Sequence, residues 1–188
     1  MLSNSQIRKK IRAHFQLSCN TLRIACIYQC GPPKGFWPQI GPAPVLLTYP
    51  KETVVAEKFE AMVKLGIANS RMKDFHDLRT LSDLFPFEGA VLSDAIKRTF
   101  ARRKTALPAT ERPIAFTLEF FEDEEKKRQW SAFVAKNKLW IASISLEEVV
   151  AAIERFVMPV LTSINTSEEL RWSWAPGGPW VAEKRTAT

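Results

Sequence analysis

A mainly α fold is what this sequence predicts, and three observations predict it. Beyond Pro50 the apolar residues recur at helical spacing in one segment after another. Those segments carry recognisable ends: Gly66 after the first, Pro86 after the second, and Ser145 with Glu148 before the last. The composition, 46% hydrophobic and 25% charged in 188 residues, suits one packed domain and excludes a collagen, a disordered tail or a miniprotein.

The net charge of +7 looks like a nucleic-acid footprint until it is divided along the chain. Residues 1–50 hold six basic residues (Arg8, Lys9, Lys10, Arg12, Arg23, Lys34) and no acid, while all 20 acids follow. The same stretch holds Cys19, Cys26 and Cys30 and six of the 12 prolines. So abrupt a change sets residues 1–46, a low-order Pro/Cys-rich basic segment, apart from a helical domain at 47–188. A basic arm is one reading of 1–46, and a truncated or frameshifted gene is the other. Ser3 to Phe15 is compatible with a short helix and Thr21 to Tyr28 with a strand, whereas the prolines of Gly31 to Pro50 block both. No apolar run approaches the ~18 to 20 residues needed to cross a bilayer, and a signal-peptide layout is missing, so the expectation is a cytoplasmic chain without a membrane partner.

The first helix is expected over Glu52 to Leu65, with Val55, Phe59 and Met62 on one face and Glu57, Glu60 and Lys64 on another. A second follows over Lys73 to Leu84, with Phe75, Leu78, Leu81 and Phe85 as its apolar positions. The third, Glu88 to Arg103, buries Val91, Leu92, Ala95, Ile96 and Phe100 and closes on Arg102, Arg103 and Lys104, the sign a helix C-terminus favours. A fourth begins near Phe121 on the acids Glu122 to Glu125 and runs through Trp130, Phe133 and Val134 to Asn137. The fifth opens on a Ser145–Glu148 capping box and buries Val149, Val150, Ile153, Phe156, Val157 and Val160, ending near Pro159 to Leu161. The tail from Trp172 to Trp180, with Pro176, Gly177, Gly178 and Pro179, is expected to be irregular, its tryptophans laid against the helices.

Candidate chemistry is sparse. Cys26 and Cys30 lack C-x-x-C spacing and His14 is the nearest histidine, so no metal site is expected from them. His14 and His76 are the only histidines, little raw material for a triad or a histidine base, and the plain reading is two partly exposed histidines. Lys58 is the exception, because Val54, Lys58, Ala61 and Leu65 share one line of the first helix and turn its ammonium toward an apolar face. Such a lysine needs an anion, and Asp74 and Asp77, three apart on the second helix, could supply it. The same spacing allows two readings: an ion pair holding two helices, or a lysine held ready for phosphate.

The run Tyr49-Pro50-Lys51-Glu52-Thr53-Val54-Val55-Ala56-Glu57-Lys58-Phe59-Glu60-Ala61-Met62-Val63, followed by Gly66-Ile67-Ala68-Asn69-Ser70-Arg71-Met72-Lys73-Asp74-Phe75-His76-Asp77-Leu78, closely resembles the AbiEii/AbiGii nucleotidyltransferase toxin family. The likeness is read over about residues 47–180. It implies that these helices are the C-terminal part of a polymerase-β-like α+β nucleotidyltransferase fold. It further implies a toxin of a type IV toxin–antitoxin, or abortive infection, system that moves a nucleotide from GTP or another NTP, with Mg²⁺, to an acceptor such as tRNA. An AbiEi-type antitoxin is the implied partner. By resemblance Lys58 contacts the triphosphate and Asp74 is the later essential acid, with Arg71, Lys73 and Asp77 in support.

The departure lies in the metal-binding half of the family site. The chain contains no Gly-Ser dipeptide, and its aspartates, Asp74, Asp77, Asp83, Asp94 and Asp123, include no pair two apart. Paired acids hold the Mg²⁺ ions that neutralise the leaving pyrophosphate. The expectation is therefore a family fragment inactive by itself; the alternative is a non-catalytic helical module that binds an antitoxin, a nucleotide or a nucleic acid. Without the family's sheet, Val55, Phe59 and Met62 are expected to lie open and to cause self-association.

Overall fold

The computed structural model describes residues 50–109, 111–137, 144–166 and 171–182. They belong, apart from its first residues, to the unit Glu52–Thr188. The low-order segment 1–46, with its helix-compatible Ser3 to Phe15, strand-compatible Thr21 to Tyr28, cysteines and His14, lies outside the described residues.

Helix α1 (Lys51–Leu65) stops at Gly66, whose φ of +50° an L side chain adopts poorly. A 3₁₀ turn, Gly66–Ala68, leads into α2 (Met72–Leu84). Strand β1 (Phe87–Glu88) and helix α3 (Gly89–Arg103) follow, and α3 closes on Lys104 in the left-handed conformation, φ +53°. Beyond the 3₁₀ turn Ile114–Phe116 come the one-turn α4 (Leu118–Phe121), then α5 (Glu124–Lys136) and α6 (Leu146–Thr166). Strands β2 (Trp172–Trp174) and β3 (Trp180–Ala182) finish the described chain.

The α6 helix is an axis of the packing, touching α2, α3, α4, α5 and the Ile114–Phe116 turn. All six apolar residues assigned to it are buried, and its capping box forms: Ser145 Oγ accepts from Glu148 N at 3.1 Å while Glu148 Oε2 accepts from Ser145 N at 2.8 Å. Contrary to expectation it does not end at Pro159. The proline removes the donor for the Arg155 carbonyl, but Val160, Leu161 and Ser163 are buried beyond it, and their packing carries the helix on to Thr166. Against the expectation that no apolar run approaches a span, this 21-residue helix has, among the described residues, the length and apolarity to cross a membrane, at mean hydropathy 1.3; half of that stretch is buried inside the unit, as befits a core helix.

Three further expectations are corrected. Val55, Phe59 and Met62 do not lie open: all three are fully buried, and Phe59 packs on Phe100 and Phe116 with ring centroids 5.6 and 6.1 Å apart. Val91 is exposed, because α3 turns its Leu92, Ile96 and Phe100 face inward instead. The fourth helix opens on the acids Glu124 and Glu125 as expected, but it starts there and not near Phe121: the chain turns at Glu122, and Asp123 caps α5 from outside by accepting from Lys126 N at 2.9 Å.

The tail is regular where irregularity was expected. Strands β1, β2 and β3 form an antiparallel sheet in that order, with Phe87 opposite Trp174 and Trp174 opposite Trp180. Trp174 is buried and Trp180 half-buried, both against Phe156, while Trp172 remains exposed. The hairpin has a structural task. Ser82 lies in the last turn of α2, and the residue four ahead, Pro86, has no N–H to give its carbonyl. Trp174 Nε1 at 2.7 Å and Gly177 N at 2.9 Å donate to that oxygen in its place.

The loop that permits this is tight. A Cβ on Gly178 would lie 2.5 Å from the Trp174 ring at φ +73°, whereas one on Gly177, at φ +86°, would meet nothing. Gly178→Ala is therefore expected to lower stability by about 2 to 4 kcal/mol, from backbone strain plus overpacking, and Gly177→Ala by about 1 kcal/mol from strain alone. Urea-denaturation midpoints of the two variants check the order; equal losses would remove the ring contact as the cause.

Candidate functional site

The α1 helix places Lys58 on the flank of its buried Val55–Phe59–Met62 face, and α2 meets it with its first two turns. Lys58 Nζ lies 2.6 Å from Asp74 Oδ1 and 2.9 Å from Asp77 Oδ2. Lys73 Nζ, one helical turn before Asp77, donates to the same Asp77 Oδ2 at 2.6 Å. His76 Nδ1 stands 3.4 Å from Asp77 Oδ1. One buried carboxylate, 1% exposed, thus collects two ammonium groups and an imidazole.

Burial opposes the charge of Lys58, but the adjacent Asp77 and the hydrogen bond and charge of Asp74 outweigh it, so its pKa stands above the ordinary 10.5. Burial likewise works against Asp77, and is overcome by the His76 hydrogen bond and by the charges of Lys58 and Lys73. The Asp77 carboxyl is held well below the usual carboxylate range.

The two acids differ in access. Asp77 is sealed, whereas Asp74, 17% exposed, lines an open cleft of about 560 Å³. Its walls are the start of α2 with the residues before it, Ser70 to Asp74, and one face of α5, Gln129, Ala132 and Phe133. Arg71 stands exposed at this cleft, and its guanidinium has no acceptor among the described residues. The structure thus brings together Lys58, Arg71, Lys73, Asp74 and Asp77; the α5 wall was missed, its only sequence signal being the i, i+3, i+4 spacing of 129, 132 and 133.

A second buried acid was also missed. Glu60, placed by spacing on the outer face of α1, is 1% exposed, accepting from Arg103 Nη1 at 2.8 Å and Thr105 Oγ1 at 2.5 Å. Glu57 pairs with Arg102 at 2.6 Å. Two of the three cations at the end of α3 are therefore spent on tying α3 to α1.

A divalent metal finds no seat in this arrangement. Among the described residues no three Asp, Glu, His or Cys side chains converge, and Asp74 and Asp77 already face ammonium groups.

The site is a set of cations and carboxylates at the edge of an open cleft, and the family comparison is more specific. The model of the Nucleotidyl transferase AbiEii toxin family, of type IV toxin–antitoxin systems, matches residues 12–152, well over half of the chain, and the chain belongs to that family. The match begins within the acid-free segment, where the resemblance was not read, and stops short of the Gly-Gly-Pro-Trp tail. No curated protein and no solved structure matches. Membership makes this a nucleotidyltransferase-family toxin and implies an antitoxin partner.

The site's electrostatics fix two outcomes. Lys58→Met leaves Asp77 buried with one ammonium fewer, expected to cost about 3 kcal/mol, and Lys58→Met/Asp77→Leu recovers most of it. Asp77 has a folded pKa below its unfolded 3.8, so its contribution is complete above about pH 5 and is lost as pH falls through 3.8 toward the folded value. Lys58 has a folded pKa above 10.5, so its contribution is complete below 10.5 and disappears only as pH rises through the folded value. Urea midpoints are expected to be level from about pH 5 to 9 and to fall below about pH 4, less steeply in Asp77→Asn.

Proposed function

We propose that this chain is the nucleotide-holding helical part of an AbiEii-type toxin, and that it binds an NTP at the Lys58–Asp74 cleft without transferring the nucleotide unaided. The supporting observation is the position of Asp74: it pairs with Lys58 while lining a cleft that Arg71 and Lys73 also line. An ammonium has three donors, and Asp74 and Asp77 take two of those of Lys58. The third, with Arg71 and Lys73, serves a triphosphate. Phosphoryl transfer is mostly positioning and charge neutralisation, and this set supplies positioning with only part of the neutralisation.

Transfer to an acceptor such as tRNA needs the missing paired acids, which the polymerase-β-like sheet carries in the pattern the resemblance implies. The charge balance favours a second reading as well. Lys58 and Lys73 against Asp74 and Asp77 sum to zero, as they would in a helical module that docks an AbiEi-type antitoxin and no nucleotide.

Calorimetric titration with GTP and the other NTPs separates the two. Saturable binding, weakened about tenfold or more in Lys58→Met and Arg71→Ala, is expected; no saturation at millimolar ligand leaves the docking module. In the same preparation, incubation with radiolabelled NTP and tRNA is expected to give no labelled RNA. Labelling that disappears in Lys58→Ala would overturn the claim of inactivity.

A further inference from the structure

One wall of the cleft takes no part in handling phosphate. Gln129, Ala132 and Phe133 lie on one face of α5, opposite the cationic start of α2. Phe133 is half-buried, and its ring is braced by His76 at 5.8 Å and Trp130 at 5.7 Å between centroids. Ala132 beside it is small and exposed, so a flat group can reach the ring.

Gln129 adds polarity to this apolar wall. Its Nε2 donates to Glu125 Oε1 at 3.1 Å, and since a carboxylate only accepts, that bond fixes which end of the amide is which. Its Oε1 is left buried with no donor among the described residues. A buried acceptor without a donor is costly, and a ligand N–H that meets it removes the cost. The oxygen is screened from water, so the Gln129 side chain must turn before a ligand on Phe133 can meet it.

We infer that Phe133 and Gln129 form a base-reading wall, on which the base of the bound nucleotide stacks against Phe133 and gives an amino hydrogen to Gln129 Oε1, so that the site disfavours uracil. The inference rests on the cleft being the nucleotide site. Aromatic stacking serves every base, because each presents a π face. The lone acceptor discriminates. Adenine, cytosine and guanine carry an exocyclic amino group, whereas the single ring N–H at the pairing edge of uracil is flanked by two carbonyl oxygens that would face Gln129 Oε1.

The test is calorimetric titration of the full chain with ATP, GTP, CTP, UTP and inorganic triphosphate. UTP is expected to bind about fivefold more weakly than the other three, the worth of roughly one hydrogen bond. Gln129→Leu should bring the four within about twofold of one another. Phe133→Ala should weaken all four about tenfold, in keeping with loss of a stacking partner, and leave inorganic triphosphate unchanged. Should Phe133→Ala melt below the assay temperature, Gln129→Leu with Phe133→Leu carries the comparison.

Equal affinity for the four NTPs, or a UTP penalty that survives Gln129→Leu, overturns the base-reading wall and leaves the proposed nucleotide site standing. So do NTPs that bind no more tightly than inorganic triphosphate. Failure of every NTP and of triphosphate to bind removes both.

Discussion

A carboxylate withdrawn from water is tolerated only where several donors converge on it, and Asp77 is that constraint in this molecule. Lys58, Lys73 and His76 reach it from two helices, so its ionised form is satisfied only when α1 and α2 meet at one place and one rotation. The same contact sets the site. Because Asp77 is a single turn beyond Asp74, burying the former leaves the latter at the edge of α2, where the cleft begins. Glu60 repeats the arrangement between α1 and α3, and the two buried acids together lock α1 against both neighbours.

The packing of α6 and the tail hairpin bears on that contact through the far end of α2. A helix held at one end by Asp77 needs its other end closed as well, and Pro86 denies it the ordinary closure. The indole of Trp174 and the amide of Gly177 supply the missing donors to Ser82, and Phe156 of α6 is the surface on which Trp174 and Trp180 rest. Residues nearly a hundred positions apart thus hold the same helix as the ion-pair cluster. Gly178, pressed on the Trp174 ring, is where this arrangement tolerates least change.

What was legible in the sequence was whatever depends on local spacing. Helix ends at Gly66 and Ser145, the apolar stripes of α2 and α6, and the approach of Lys58 to Asp74 and Asp77 all follow from periods of three and four. The misreadings have a common physical source, because burial across elements overrides local preference. Pro159 should end a helix, yet Val160 and Leu161 are packed beyond it. Glu60 should face water, yet Arg103 and Thr105 meet it 43 and 45 residues on. Trp172 to Trp180 carries the residues of an irregular tail, and it becomes two strands because β1 offers an edge and Phe156 a floor. Of the site, the α2 wall could be read from charged residues, whereas Phe133 and Gln129 look like an ordinary helix face until α5 is set opposite α2.

The charge arithmetic of the cluster also bears on how an anion could enter. Two ammonium groups and two carboxylates cancel, so no long-range attraction draws a polyanion to Lys58 itself. On the proposed reading attraction comes from Arg71, exposed and without an acceptor among the described residues, and contact with Lys58 follows at short range. Asp77 and Asp74 both keep their bonds to Lys58 on the same reading, and its third donor is the one left for phosphate. On that reading Asp77 positions Lys58 without touching the ligand, and the gradation of burial between two acids three residues apart separates the anchor from the cleft surface.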